Sequence, residues 1–344
     1  MRRLIGTALA LAMVLVVAPA ASAAPPVASA PSAPLVGSSS ASAVGEGRLF
    51  VPNAIVSMRD DTITDRKDAD YPKIQPAYSV QALTDLDGSG YLRGDYVDVR
   101  GSGGRAFEPD LSFIYGRDDG RFEQTMAYYG ITQSQRYIQS LGFTDIQSDG
   151  ITVKVNQFGV DNSYFDVKHD LIRLGKGGVD DAEDLEVVWH EYGHAIQAAQ
   201  VRGYGTSTDA NAIGEGFGDY WAATMSEPVS GGFGVACIAE WDSISYTPER
   251  PFCLRRVNLD LTMEDRTGRI HFDGQIWSRA LWDIHRALGR TTADTVILTA
   301  QYDFNAGTTF RDAALNTVDA ARRLLGRRAE TRVREAFVDR GILR

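Results

Sequence analysis

Hydrophobic and polar positions divide the chain into three kinds of stretch. An apolar run from Leu4 to Val17 follows Arg2 and Arg3, and residues 24–44 are then mostly Ala, Ser and Pro. From about 45 to 120, short apolar clusters alternate with Gly and Asp. Leu49-Phe50-Val51, Tyr78-Ser79-Val80 and Tyr96-Val97-Asp98-Val99 predict strands there. Asp85-Leu86-Asp87-Gly88-Ser89-Gly90 has the opening of a calcium loop, but its twelfth position is Tyr96, which cannot chelate, so a hairpin turn is predicted. Phe122 to Leu141 carries Met126, Tyr129 and Ile138 among its apolar positions and predicts a helix, and Val153–Val155 and Ser163–Phe165 predict two more strands. Beyond 180 the helical period dominates. Leu185, Val188, Tyr192, Ala195 and Ala199 form one apolar stripe, with acidic residues crowding the start, where a helix N-terminus favours negative charge. A helix is predicted after His271 through Arg286, and 292–342 reads as three helices, Ala293–Ala300, Phe310–Leu325 and Glu330–Val338. No internal repeat is visible.

The N-terminal pattern predicts a secretory signal over 1–23, ending at the small residues Ala21-Ser22-Ala23, and a linker or short pro-segment over 24–44. The apolar run is too short for a comfortable membrane span, so no stable insertion is expected once the signal is removed, and the protein is expected to be secreted. In an exported chain Cys237 and Cys253 are expected to pair, with free thiols or a metal role as the alternatives. The 344 residues give ample core, and the net charge of −10 argues against a nucleic-acid partner.

The chemistry lies in His190-Glu191-Tyr192-Gly193-His194. His190 and His194 stand at i and i+4, so both imidazoles leave one helical face, roughly opposite the apolar stripe, and can hold one metal ion. Glu191 is about 100° round from His190, free to act as a base. Glu215 completes a His₂Glu ligand set with an open fourth position. Asp219, one turn on, is placed to accept the free ring N–H of a ligand histidine. Gly214, Gly216 and Gly218 argue against a helix here at about 1 kcal/mol each. A helix is still predicted, because glycine lets two backbones approach as a shared metal requires.

These two segments resemble the active site of thermolysin-like metallopeptidases. Gly214-Glu215-Gly216 and Arg48-Leu49-Phe50-Val51-Pro52-Asn53 are similar to the fungalysin-like branch. The resemblance implies one zinc ion on His190, His194 and Glu215, with Glu191 as general base and Asp219 orienting a zinc-binding histidine. Asn162-Ser163-Tyr164-Phe165 resembles the edge strand on which such enzymes lay a peptide, Asn162 contacting it by its side chain and Ser163 by its backbone. The segment Asp265 to Trp277 resembles the one that carries a transition-state histidine. His271 takes that place, with Asp265 near the position of the carboxylate that orients it and Tyr204 as a second oxyanion donor. An arginine should hold the substrate carbonyl, and Arg255 and Arg256 are both available. Glu186 matches a calcium-ligand position, but the cluster around it does not carry over, and no calcium is expected.

The expected architecture is therefore a two-lobed α+β thermolysin-like fold. A β-rich lobe over 45–204 ends in the zinc helix, a helical lobe spans 205–344, and the site lies in the cleft. The expected function is a monomeric, secreted zinc endopeptidase acting on peptides or proteins. A zinc aminopeptidase is the rival enzyme, though the Gly-x-Met-Glu-Asn type of element that anchors a free amine is absent, and a peptidase-like binding protein without turnover is the rival outside catalysis. His169 and His285 are assigned no role.

Overall fold

The structure, a computed structural model, describes residues 42–344. The predicted signal and residues 24–41 of the predicted linker lie outside the described residues. The described residues form one compact unit. Its first part is rich in strands: β1 (Ala43–Phe50), the short α1 (Ala54–Met58), β2 (Tyr78–Leu86), β3 (Val97–Gly101), β4 (Ser112–Phe113), α2 (Phe122–Ser140), β5 (Ile151–Val155), β6 (Tyr164–Asp166) and β7 (Leu171–Arg173). The second is helical: α3 (Leu185–Gln200), α4 (Thr208–Ser230), the two-residue strands β8 (Cys237–Ile238) and β9 (Arg255–Arg256), α5 (Ile270–Leu288), α6 (Arg290–Gln301), α7 (Phe310–Leu325) and α8 (Arg327–Asp339).

β1 begins two residues inside the predicted linker. Ala43 pairs with Leu86 across an irregular register, so the hairpin β1–β2 draws in residues whose composition alone reads as linker. β1 also pairs in parallel with β4. A second sheet has the order β3-β5-β7-β6, parallel except for β6, which runs antiparallel to β7 at the edge. The stretch after β2 is a closed turn, with Leu86 bridged to Gly94 and the Asp87 carboxylate paired with Arg93 rather than open to an ion. The short β8–β9 ribbon is tied by the Cys237–Cys253 disulfide, Cα–Cα 5.4 Å, at a separation of 16 residues. On the chain-entropy view a loop of that size is worth about 3 kcal/mol.

α3 is buried on nearly every side. Leu185, Val188, Tyr192 and Ala195 have no exposed surface, and Trp189 on another face donates its indole N–H to the Gly130 carbonyl at 2.9 Å. Ala199, the last residue of the predicted stripe, is exposed, because the final turn of α3 leaves the core. The acidic residues before α3 are not a solvated N-terminus. Asp184 caps the helix, accepting from the Glu186 N–H at 3.0 Å, and Glu183 is fully buried against Arg117 at 2.8 Å.

α4 packs between α3 and α5, and its glycines sit at both contacts. A Cβ on Gly218 would meet His190 Nδ1 at 2.7 Å, and one on Gly216 would meet the Gly274 carbonyl oxygen of α5 at 2.3 Å. The helix-propensity loss at these positions is outweighed by a packing that no larger residue permits. The result is an α+β fold with a cleft between the edge strand β6 and the helices α3, α4 and α5.

Candidate metal centre and active site

One turn of α3 separates His190 from His194, and their rings stand nearly perpendicular with centroids 4.9 Å apart. α4 brings Glu215 to both, with Oε2 3.4 Å from His190 Nε2 and Oε1 3.8 Å from His194 Nε2. Donor atoms of the three side chains lie within 4.8 Å of one another. Asp219, fully buried one turn along α4, takes the other ring nitrogen of His190, with Nδ1–Oδ1 2.9 Å. That hydrogen bond fixes a proton on Nδ1 and turns Nε2 toward Glu215.

Burial works against a charged His190, but Asp219 and then Glu215 overcome it and raise its pKa to about 10. His194 is pushed down to about 4, chiefly by burial. Glu215 is held well below the usual carboxylate range, since His190 and His194 outweigh its burial. Its Oε2 is nonetheless a buried oxygen without a hydrogen-bond partner. Two imidazoles and a carboxylate converging on unfilled hydrogen-bonding capacity form a donor set that suits zinc, whose binding would displace the proton on His190.

Glu191 lies beside this group, 6% exposed, with Oε2 buried and unpartnered. Burial comes first in raising its pKa to about 7. Glu215 and Asp181 add to the effect and His190 opposes it. A carboxyl group titrating near neutrality, on a residue that lines a cleft, is suited to accept and return a proton.

The cleft above is a cavity of about 360 Å³ that Asn162, Ser163, Glu191, Tyr204 and His271 all line. Asn162 and Ser163 immediately precede β6, so they stand at the open sheet edge. The Tyr204 hydroxyl is buried without a partner, and burial pushes its pKa up. His271 reaches in from α5, its Nε2 3.3 Å from Glu215 Oε2, with the side chain 62% exposed. It belongs to the first turn of α5 rather than preceding the helix, which begins at Ile270.

Asp265 does not hold His271. Its carboxylate accepts the Thr262 N–H at 2.8 Å and the Thr262 hydroxyl at 3.0 Å, closing a capping box, and no hydrogen bond joins it to His271 among the described residues. The carboxylate that shapes this segment is Asp273, which is buried and accepts the N–H groups of Thr267 and Gly268 at 2.8 and 2.9 Å. It fixes the turn that leads into His271.

Of the two candidate arginines, Arg255 is at the site. It grips Asp219 through Nε at 2.8 Å and Nη2 at 2.8 Å, while the backbone N–H of Arg256 donates to Gln275 and its side chain lines a separate cavity. Consecutive residues of a strand point to opposite faces, so the short β9 sends only one of them inward. His285 is buried against Glu227 at 2.9 Å, and His169 pairs with Asp166 in the turn between β6 and β7, both outside the cleft. Glu186 is buried beside Glu240.

No family profile and no curated protein sequence matches the chain. Among solved structures it is similar to the precursor of protealysin, a metalloproteinase from Serratia proteamaculans, with a TM-score of 0.59 at 15% identity over 72% of this chain and 87% of that one. That likeness establishes a fold of the thermolysin-like peptidase kind. Among the described residues no helix is long and apolar enough to cross a membrane.

Proposed function

We propose that the protein is a secreted zinc endopeptidase. The observation that carries this reading is the convergence of His190, His194 and Glu215, with Asp219 on the far nitrogen of His190 and Glu191 lining the same cleft. A zinc ion held by those three side chains would act as a Lewis acid toward the scissile carbonyl and make water a better nucleophile at neutral pH.

The chain's own residues supply the rest. Glu191 takes a proton from the attacking water and hands it to the leaving amine. Asp219 keeps His190 in one tautomer and orientation, and Arg255 neutralises Asp219. His271 and Tyr204 donate to the oxygen on which negative charge grows. Asn162 and Ser163 hold the substrate backbone at the free edge of β6, an arrangement tolerant of sequence because main-chain hydrogen bonds dominate it. The disulfide and the predicted signal support export.

The test is a digestion of casein by the purified, zinc-analysed protein with and without a chelator. Cleavage lost on chelation and restored by zinc is expected. Zinc-loaded protein that cleaves neither casein nor unblocked peptides would sink the proposal in favour of a binding protein, and release of N-terminal residues alone would favour an aminopeptidase.

A further inference from the structure

A second cavity, of about 230 Å³, opens from the same centre. It shares Asn162, Ser163, His190, Glu191 and His271 with the first, so the two cavities adjoin at the centre. Its chemistry is unlike that of the rest of the cleft. Val187, Ile238 and Leu254 form apolar walls, and Asp181 and Asp242 add two carboxylates, each residue only 3% exposed. Asp181 comes from the turn before α3 and Asp242 from the turn after β8. Asp161 stands behind them, and the three carboxylates offer oxygens within 4.8 Å of one another.

Oδ1 of Asp181 and Oδ1 of Asp242 are buried with no hydrogen-bond partner. His190 and His271 also line the cavity, yet among the described residues neither carboxylate is ion-paired. Among the described residues lining this cavity Arg255 is the one Lys or Arg, and its guanidinium is engaged by Asp219. Burial first, then Asp161, raises Asp181 to about 7, and burial followed by Asp181 raises Asp242. Two facing carboxylates with a shared deficit of positive charge are costly to bury until a cation arrives.

We infer that this cavity is a substrate subsite for a cationic side chain, lysine or arginine, at a residue flanking the cleaved bond. The inference rests on the peptidase reading above and names the substrate class for it. The apolar walls suit a methylene stem, and Asp181 and Asp242 suit the ammonium or guanidinium at its end. A bound calcium ion fits less well. Asp181 also accepts the Ser163 hydroxyl and Asp161 the Tyr246 hydroxyl at 2.8 Å, which leaves four of the six carboxylate oxygens where calcium takes six to eight ligands.

The experiment has two arms, so that loss of the peptidase reading and loss of the subsite are told apart. In the first, zinc-loaded enzyme digests a mixed peptide library and the cut sites are read by mass spectrometry. Lys or Arg should recur at one fixed position beside the cut. In the Asp181→Asn/Asp242→Asn variant the Lys-over-Leu preference in kcat/KM should fall by about 10–100-fold at unchanged zinc content, a ratio in which any effect of Asp181 on Glu191 cancels. In the second, zinc-loaded Glu191→Gln protein is titrated calorimetrically with Ala-Lys-Ala and Ala-Leu-Ala amides. Tighter binding of the lysine peptide, abolished by the two Asn substitutions, is expected. If no peptide is cut but this binding difference appears, the subsite stands and the peptidase reading falls. Equal binding of the two peptides, an aliphatic preference at both flanking positions, or calcium uptake that depends on Asp181 and Asp242 without a change in the Lys/Leu ratio would overturn the subsite.

Discussion

Asp219→Asn is the substitution whose consequences follow most directly from the geometry. Asp219 is fully buried, accepts the His190 ring N–H at 2.9 Å, and takes Arg255 through Nε and Nη2 at 2.8 Å each. Burial opposes its charge, but Arg255 first and His190 next hold its pKa below the usual carboxylate value. An amide of the same shape accepts through one atom only and turns an N–H toward a donor. Either Arg255 or His190 loses its partner. Removing one member of a buried ion pair costs about 3–5 kcal/mol, and loss of such a partner to a metal-binding histidine costs about 10–100-fold in metal affinity. Both effects should appear together, as a lowered unfolding free energy in metal-free protein and a weaker zinc affinity by competition with a chromogenic chelator. Because the folded pKa of Asp219 is depressed, its stabilisation is present above the unfolded value near 3.8 and is lost as pH falls through the folded one. Wild-type and variant curves should therefore converge in acid. Zinc affinity within twofold of wild type, with stability unchanged at pH 7, would show that Asp219 does not hold His190.

Three further outcomes are expected. Glu191→Gln should keep zinc and lose hydrolysis, since the amide cannot accept a proton near neutrality. Turnover within tenfold of wild type would assign the base elsewhere. His271→Ala should lower kcat by about 10²–10³ with little change in KM or zinc content, while Asp265→Asn, whose carboxylate serves Thr262, should leave the kinetics of the folded enzyme alone. Equal losses in the two variants would restore Asp265 to the site. Glu240, raised to about 8 by burial first, has an unpartnered buried oxygen beside Glu186. Its folded pKa exceeds its unfolded one, so it withdraws stability as pH rises from about 4.5 to 8. Glu240→Gln should therefore gain on wild type in Tm between pH 5 and pH 8.5, and parallel Tm curves for the two proteins would contradict this.

Much of the centre is legible in the sequence because its pieces are local. His190, Glu191 and His194 occupy one turn and Glu215 and Asp219 another, so helical spacing alone sets each group. α7 has the bounds its stripe predicts, Phe310–Leu325. What spacing cannot supply is the meeting of distant segments. Asp181 lies far along the chain from Asp242, and each alone reads as a polar position near a turn. Only the fold makes them facing carboxylates in one cavity. Arg255 and Arg256 are equivalent in sequence, and the facing of β9 decides between them. Asp265 follows from the position of the resemblance, whereas the chain commits it locally to Thr262 and uses Asp273 to shape the turn. Ala43 and Val44 enter β1 through pairing with β2, which composition does not register.

The most direct test is anomalous scattering at the zinc edge from crystals of the purified protein. A single strong peak is expected among His190 Nε2, His194 Nε2 and the Glu215 carboxylate, at about 2.0–2.2 Å from each, and absent from His194→Ala crystals. Zinc bound elsewhere, or a peak that persists at this place without His194, would contradict the metal centre on which the proposed chemistry depends.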